Sequence, residues 1–356
     1  MPPLQHGAVV AVTGATGFIG SHVCSELLSA GFRVRAVVRN PDDEAKVGHL
    51  RALPHASEHL TFHRGDLDKA GSYDDAFRGA QAVIHTATVV EINDSKDPEG
   101  EIVKPSVEGT KNVPASVDKS GSVQRYVHTS SVIAAMKWDE PLDMTFSEDV
   151  WNTVSTVQNG DPYGYAKATA EKIVHEHKNT SYDAITILPG VNLGPCMTKA
   201  HTKSSAVVIR QMLFGNRQAD YHAHFVDVRD TAQAHVRALT ASLQAGSACR
   251  VLAVSDAQMR VCDLEKHLPQ LFPQYIIEAK PLLFQWLLQV PILCRLAGSD
   301  FQRMIATQQF TADNRKSKQM LGLQYKTLEE TLRDTVKSMI DTGFVAPRKS
   351  GQSPPA

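Results

Sequence analysis

VVAVTGATGFIG, residues 9–20, runs from five apolar or β-branched residues straight into three glycines spaced three apart, Gly14, Gly17 and Gly20. A short apolar run of that kind suits a buried strand of a parallel sheet. Each glycine then has a task. Gly14 permits the tight exit from the strand, Gly17 lets the backbone approach a pyrophosphate, and Gly20 lets the following helix close on the sheet. The helix start supplies free N–H groups and the positive end of its dipole. The expectation is a dinucleotide site held by Gly14, Thr16, Gly17, Phe18, Ile19 and Gly20.

Outward from this turn, strand-like runs at 8–13, 32–38, 60–64, 82–86, 125–129 and 184–188 alternate with helical patterns at 18–30, 42–53, 72–77, 99–119 and 163–179. That alternation predicts an α/β fold, a doubly wound parallel sheet of Rossmann type covered by helices on both faces. After Pro189 the pattern weakens. Residues 224–230, 231–243 and 250–254 read as a return to the main sheet. The expected division is a dinucleotide-binding domain over 1–190 plus about 224–255. A smaller, mostly helical substrate lobe would take about 191–223 and 256–345, followed by a disordered tail from 346 to 356.

The end of the second strand bears on which dinucleotide is bound. A carboxylate there would hold the adenosine ribose of NAD(H), but the run RVRAVV ends in Arg39-Asn40-Pro41 with no acid before Asp42. Arg39, with Lys46 as a second cation, is suited to a 2′-phosphate, so NADP(H) is preferred over NAD(H). Asp66 and Leu67 after the third strand are expected near the adenine. Thr86, Ala87 and Thr88 after the fourth are small enough to let the cofactor lie close.

Tyr163 and Lys167 lie four apart at the start of a helix, behind Asp161 as cap and Pro162 as first-turn proline. A nearby ammonium should lower the phenol's pKa towards a range useful for acid–base work. Lys167 can also bond the nicotinamide ribose, and both residues count among the cofactor contacts. Tyr165, two positions from Lys167, should point away and serve in packing. A serine at the end of the fifth strand, Ser131 in HTSS, can bond a substrate carbonyl oxygen.

Composition removes other classes. A formal net charge of −1 gives no electrostatic reason to expect nucleic acid or an anionic membrane as partner. The five cysteines are scattered, which argues against a disulfide framework or zinc site and for a reducing compartment. The first strand begins too early for a secretory leader, and the tail carries no retrieval signal, so the expected address is the cytoplasm. Residues 281–296, PLLFQWLLQVPILCRL, are too short to span a bilayer and are expected to pack on the core or line an apolar pocket rather than touch a membrane.

The strings TGATGFIGSHV, RAVVRNP, GDLDKAGSYDDAFRGAQAVIHTAT, KPSVEGTKNV, RYVHTSS, DPYGYAKATAEK, LPGVNLGP, HFVDVRDTAQAH and FTADNRKSKQMLGLQYKTLEETL cover roughly residues 7–340. Together they resemble the extended short-chain dehydrogenase/reductase family, in particular its dihydroflavonol reductase, cinnamoyl-CoA reductase and yeast-type aldehyde/ketone reductase branch. The resemblance implies that Ser131 is the catalytic serine, Tyr163 the acid/base and Lys167 the ribose-binding lysine. It implies that Arg39 is the 2′-phosphate ligand, and that the stretch after Pro189, with Asn192, orients the nicotinamide carboxamide. Three departures stand out. Met136 occupies the place of the asparagine that reads substrate in flavonoid reductases, and Asn192 replaces a usual valine. The leucine-rich 281–296 is longer than in the plant enzymes and is similar to the hydroxysteroid and sterol dehydrogenase branch. The expected activity is NADPH-dependent reduction of an apolar aldehyde or ketone by a monomer or homodimer. Met136, Trp138, Val191, Leu193 and Phe225 are candidate pocket walls. A 3β-hydroxysteroid or sterol dehydrogenase, a sugar-nucleotide epimerase or dehydratase, and a non-catalytic NADP(H) sensor remain alternatives.

Overall fold

The computed structural model describes residues 3–88, 96–139, 144–177, 181–243, 246–282 and 309–348. Most of the apolar segment 281–296 therefore lies outside the described residues. Ten strands carry the argument: β1 Val9–Thr13, β2 Arg33–Val38, β3 Leu60–Arg64, β4 Ala82–His85, β5 Arg125–Thr129, β6 Asp183–Pro189, β7 Val191–Leu193, β8 His222–Asp227, β9 Ala248–Ala253 and β10 Gln258–Arg260. So do seven helices: α1 Phe18–Ser29, α2 Glu44–Arg51, α3 Lys104–Ser120, α4 Pro162–Glu176, α5 Val207–Phe214, α6 Val228–Ala238 and α7 Leu328–Asp341.

Seven strands form one sheet in the order β9-β6-β5-β4-β1-β2-β3, every pair parallel. β4, β5 and β6 are buried along their whole length, and the charges that open β5 and β6, Arg125 and Asp183, are buried as a pair 2.7 Å apart. The alternation of β1 shows the two covered faces. Val10 and Val12 join Val23, Leu27, Ala232 and Val236 of α1 and α6 on one side. Ala11 joins Val113, Val117 and Val174 of α3 and α4 on the other. Strand order reverses between β1 and β4, where Thr13 stands in register with His85. Crevices at such switch points, outside the carboxyl ends of the strands, are where ligands of this architecture bind.

One expectation is corrected. The run near 224–230 does not rejoin the main sheet: β8 pairs parallel with β7 and antiparallel with β10 in a separate three-stranded sheet. Only the helix that follows, α6, returns to the main body, against α1, and β9 then closes the far edge of the main sheet beside β6. Apolar periodicity marks a strand but does not name its partner, which is why the sequence placed β8 wrongly. The tail also begins later than 346. Arg348 still donates to Glu278 (2.8 Å) and accepts from the backbone of Ile276 (2.8 Å), and residues 349–356 lie outside the described set. Among the described residues no helix is long and apolar enough to cross a membrane.

Candidate active site

At the switch point the glycine turn is built as a close-fitting cradle. Gly14 has φ +68°, and a Cβ there would sit 2.7 Å from the backbone of Ala87. A Cβ on Gly20 would meet the Gly14 carbonyl oxygen at 2.2 Å. Gly17 caps α1 with extended backbone and no side-chain cap bond, so the first N–H groups of the helix are left to a ligand. The Thr86 hydroxyl is spent bracing the turn, donating to the Thr13 carbonyl at 2.8 Å, and Ala87 N–H donates to Thr13 Oγ1 at 3.4 Å. Backbone held this close, at a helix start with no side-chain cap, fits a dinucleotide pyrophosphate.

Arg39 is exposed just past β2, and Lys46 lies on α2 with its ammonium 3.6 Å from Asp43. Arg64, at the end of β3 in register with Val38, stands at the same corner and pairs with Asp42 at 3.5 Å. The Asp66 carboxylate sits 3.7 Å from Lys69, and Leu67 packs against Gly109 of α3. Leu67, Ala87, Thr88 and Lys167 come together in one cleft. Its other walls are Ser106, Thr110, His128, Thr129 and Ala170.

The start of α4 is set by a buried polar knot. Asp161 Oδ1 accepts from Gly164 N–H at 2.8 Å, while its other oxygen takes the Ser155 hydroxyl. Asn152 (2.7 Å) and Trp138 (3.2 Å) donate to Ser155 in turn. With the cap fixed and Pro162 in the first turn, Tyr163 and Lys167 share one face, the Lys167 Nζ 5.9 Å from the Tyr163 ring centroid. Tyr165 is exposed rather than packed, a departure from the role its position suggested. Ser131 is in extended conformation at the end of β5. Its oxygen accepts from Ile133 N–H at 3.4 Å, and it stands near enough to Tyr163 to act on the phenol's ionisation. The neighbouring Ser130 faces the other way, into the core.

The electrostatics correct a second expectation. Lys167 does not bring the tyrosine down: burial pushes Tyr163 up to about 12, with the Asp161 and Tyr221 charges adding to it and Ser131 opposing it. Burial also draws Lys167 down from 10.5 to about 8, against the pull of Glu171. Desolvation outweighs the mutual attraction of the pair, and at neutral pH Tyr163 is a protonated phenol.

Behind Lys167 lies a group that the sequence reading missed. Glu171, the next residue at i+4 along the same face, is completely buried. It accepts from Ser130 Oγ (2.9 Å) and from Arg250 of β9 through Nε (2.7 Å) and Nη2 (3.3 Å). Arg250 stacks on Trp151 at 3.8 Å and donates to the carbonyls of Ala134 and Glu148. The i,i+4 continuation from Lys167 was a usable signal for Glu171; nothing local pointed to Arg250. Glu171→Gln should cost about 2 kcal/mol in urea unfolding, because Arg250 would keep its charge in the core with only a neutral acceptor. Unchanged stability would show the pair to be idle.

Past Pro189, Asn192 is buried with its side chain satisfied within the chain, accepting from Thr231 (2.6 Å) and donating to the Gly190 carbonyl (3.1 Å). That leaves backbone, not the amide, to meet a ligand. Of the candidate pocket walls, Leu193 and Phe225 are core residues packed with Phe18, whereas Met136 and Trp138 pack near Ala168 and Phe310.

Comparison with known proteins gives a consistent picture. The family model described as "NAD dependent epimerase/dehydratase family" matches residues 10–250. The chain is 31% identical over 354 residues to cinnamoyl-CoA reductase CAD2 of Medicago truncatula, covering 95% of this chain and 97% of that one. It is 34% identical over 230 residues to dihydroflavonol 4-reductase of Solanum lycopersicum, 63% of this chain and 60% of that one. Among solved structures, Gre2 of Candida albicans in complex with NADPH superposes with a TM-score of 0.76 at 25% identity, covering 94% of this chain and 99% of that one.

Proposed function

Because the chain belongs to the NAD-dependent epimerase/dehydratase family, the extended short-chain dehydrogenases/reductases, we propose that it is an NADPH-dependent reductase turning an apolar aldehyde or ketone into the alcohol. The observation that carries the reading is Tyr163 and Lys167 on one face of α4, the ammonium 5.9 Å from the phenol ring centroid, with Ser131 beside them past the end of β5. The nicotinamide, when bound, supplies the hydride. Ser131 Oγ donates a hydrogen bond to the carbonyl oxygen and steadies the charge that develops there. Tyr163 Oη gives that oxygen its proton. Lys167 Nζ, already 3.3 Å from Thr88 Oγ1, holds the ribose hydroxyl and offsets the phenolate left behind. Arg39 and Lys46 take the 2′-phosphate.

The reading is tested by following NADPH and NADH oxidation against a panel of aldehydes, diketones, flavonoids and steroids. Turnover of apolar carbonyls with NADPH supports it. Turnover with NADH alone, or of sugar nucleotides only, sinks it. Arg39→Ala should lower kcat/KM for NADPH at least about tenfold, the worth of one charge-assisted contact. The same variant should leave the NADH value within about twofold, since NADH has no 2′-phosphate for Arg39 to hold. An unchanged NADPH-to-NADH ratio would remove Arg39 from the cofactor site.

A further inference from the structure

Behind the glycine turn three histidines from distant parts of the chain meet: His22 on α1, His49 on α2, and His201 in the short helical turn Lys199–Lys203. His201 lies 5.6 Å from His49, nearly perpendicular, and 5.5 Å from Phe18; Phe18 in turn lies 5.8 Å from His22. None has a role in the chemistry above.

The hydrogen-bond pattern fixes their protons. Met197 N–H donates to His201 Nδ1 at 3.2 Å, so the ring proton is on Nε2, which donates to the Thr16 carbonyl at 3.2 Å. Ser21 spends its one hydroxyl hydrogen on the Ala15 carbonyl at 3.0 Å, so His49 Nε2 must donate to Ser21 Oγ at 2.9 Å. His22 Nε2 donates to the Pro195 carbonyl at 2.9 Å and ties the segment bearing His201 to α1. Burial holds His201 neutral, drawn down to about 4, and the bond pattern requires this. A proton on Nδ1 would face the Met197 N–H.

These bonds bear on the phosphate turn. The Thr16–Gly17 peptide is gripped at both ends, its carbonyl by His201 and its N–H by the Gly14 carbonyl at 2.9 Å. The Ala15–Thr16 peptide is held through its carbonyl by Ser21, backed by His49. We propose that His201, with the Ser21–His49 pair, is a positioning element for the cofactor. It holds the carbonyls of the glycine turn back, towards the buried side, so that the Thr16 N–H and the helix-start N–H groups of Phe18 and Ile19 are left for the pyrophosphate. Donors set in place before binding lose no freedom when the ligand arrives. The inference rests on reading the turn as the dinucleotide site and deepens that reading.

The test is direct binding. Wild type, His201→Ala, His201→Asn and His201→Gln are titrated with NADPH and NADH, and with adenosine 2′-phosphate, which reaches Arg39 but not the turn. A glutamine amide can donate where Nε2–H stood, whereas asparagine reproduces only the Nδ1 acceptor. The Kd for NADPH should rise about tenfold in His201→Ala and His201→Asn and return to within about twofold of wild type in His201→Gln. Binding of adenosine 2′-phosphate should be the same in all four. Wild-type affinity for NADPH in His201→Ala, equal losses in the Gln and Asn variants, or a parallel loss of adenosine 2′-phosphate would each overturn the proposal. A wild type that binds neither dinucleotide would instead overturn the reading on which it stands.

Discussion

Tyr163→Phe should lower kcat/KM for carbonyl reduction by about 10³-fold, in the middle of the range for loss of a positioned general acid. The substitution removes one oxygen and keeps the ring, so the half-buried packing at the start of α4 should survive. What is lost is the proton. Burial keeps the phenol protonated through the neutral range, with its ionisation pushed up to about 12. The product alkoxide would then have to find its proton in solvent. Ser131 should retain part of the rate, because its hydrogen bond to the oxygen is independent of the transfer. Measured with NADPH and an accepted aldehyde, with circular dichroism as the check on folding, a rate within tenfold of wild type would remove Tyr163 from the chemistry.

Lys167→Met should do two things at once: cut turnover by about 10²-fold or more and make the protein more stable at neutral pH. The second effect follows from linkage. Lys167 is 7% exposed, and its ionisation is drawn down from 10.5 to about 8. Below about pH 8 both the folded and unfolded chains hold this proton, and the folded chain bears the full cost of a buried ammonium. Between about 8 and 10.5 the unfolded chain binds more protons than the folded one, so stability climbs with pH and the cost is relieved. Two to three pH units of displacement correspond to about 3 kcal/mol. Methionine fills a similar volume without the charge. The variant's advantage in urea unfolding should therefore be largest near pH 7 and should shrink towards pH 10. A variant less stable than wild type at pH 7 would mean that the Glu171 attraction outweighs desolvation.

Much of this site was legible in the sequence for a simple reason: its parts are local. The strand, glycine turn and helix of residues 9–29 are contiguous, and so are Asp161, Pro162, Tyr163 and Lys167. Period and spacing were enough to place them. The parts that were missed are joined across the chain. His201 reaches Thr16 over 185 residues and Arg250 reaches Glu171 over 79, distances at which no pattern operates. β8 was assigned to the wrong sheet for the same reason, since a strand's partner is a tertiary fact. The direction of the tyrosine shift failed differently. A lysine four residues away was visible in the sequence, but the burial that outweighs it was not.

The reach from Arg250 to Glu171 has a consequence for the order in which the protein is made. β9, which carries Arg250, is the last strand of the main sheet to be synthesised and the outer neighbour of β6. By the time α4 and β6 have left the ribosome, the residues that complete them have not. The growing chain then carries a seven-residue strand edge that the finished protein buries throughout, and a core glutamate still lacking Arg250. An open edge of this kind invites pairing with other chains and engagement by chaperones. Closing that edge and locking α4 are one event, and it waits for the ribosome to release residues 248–253.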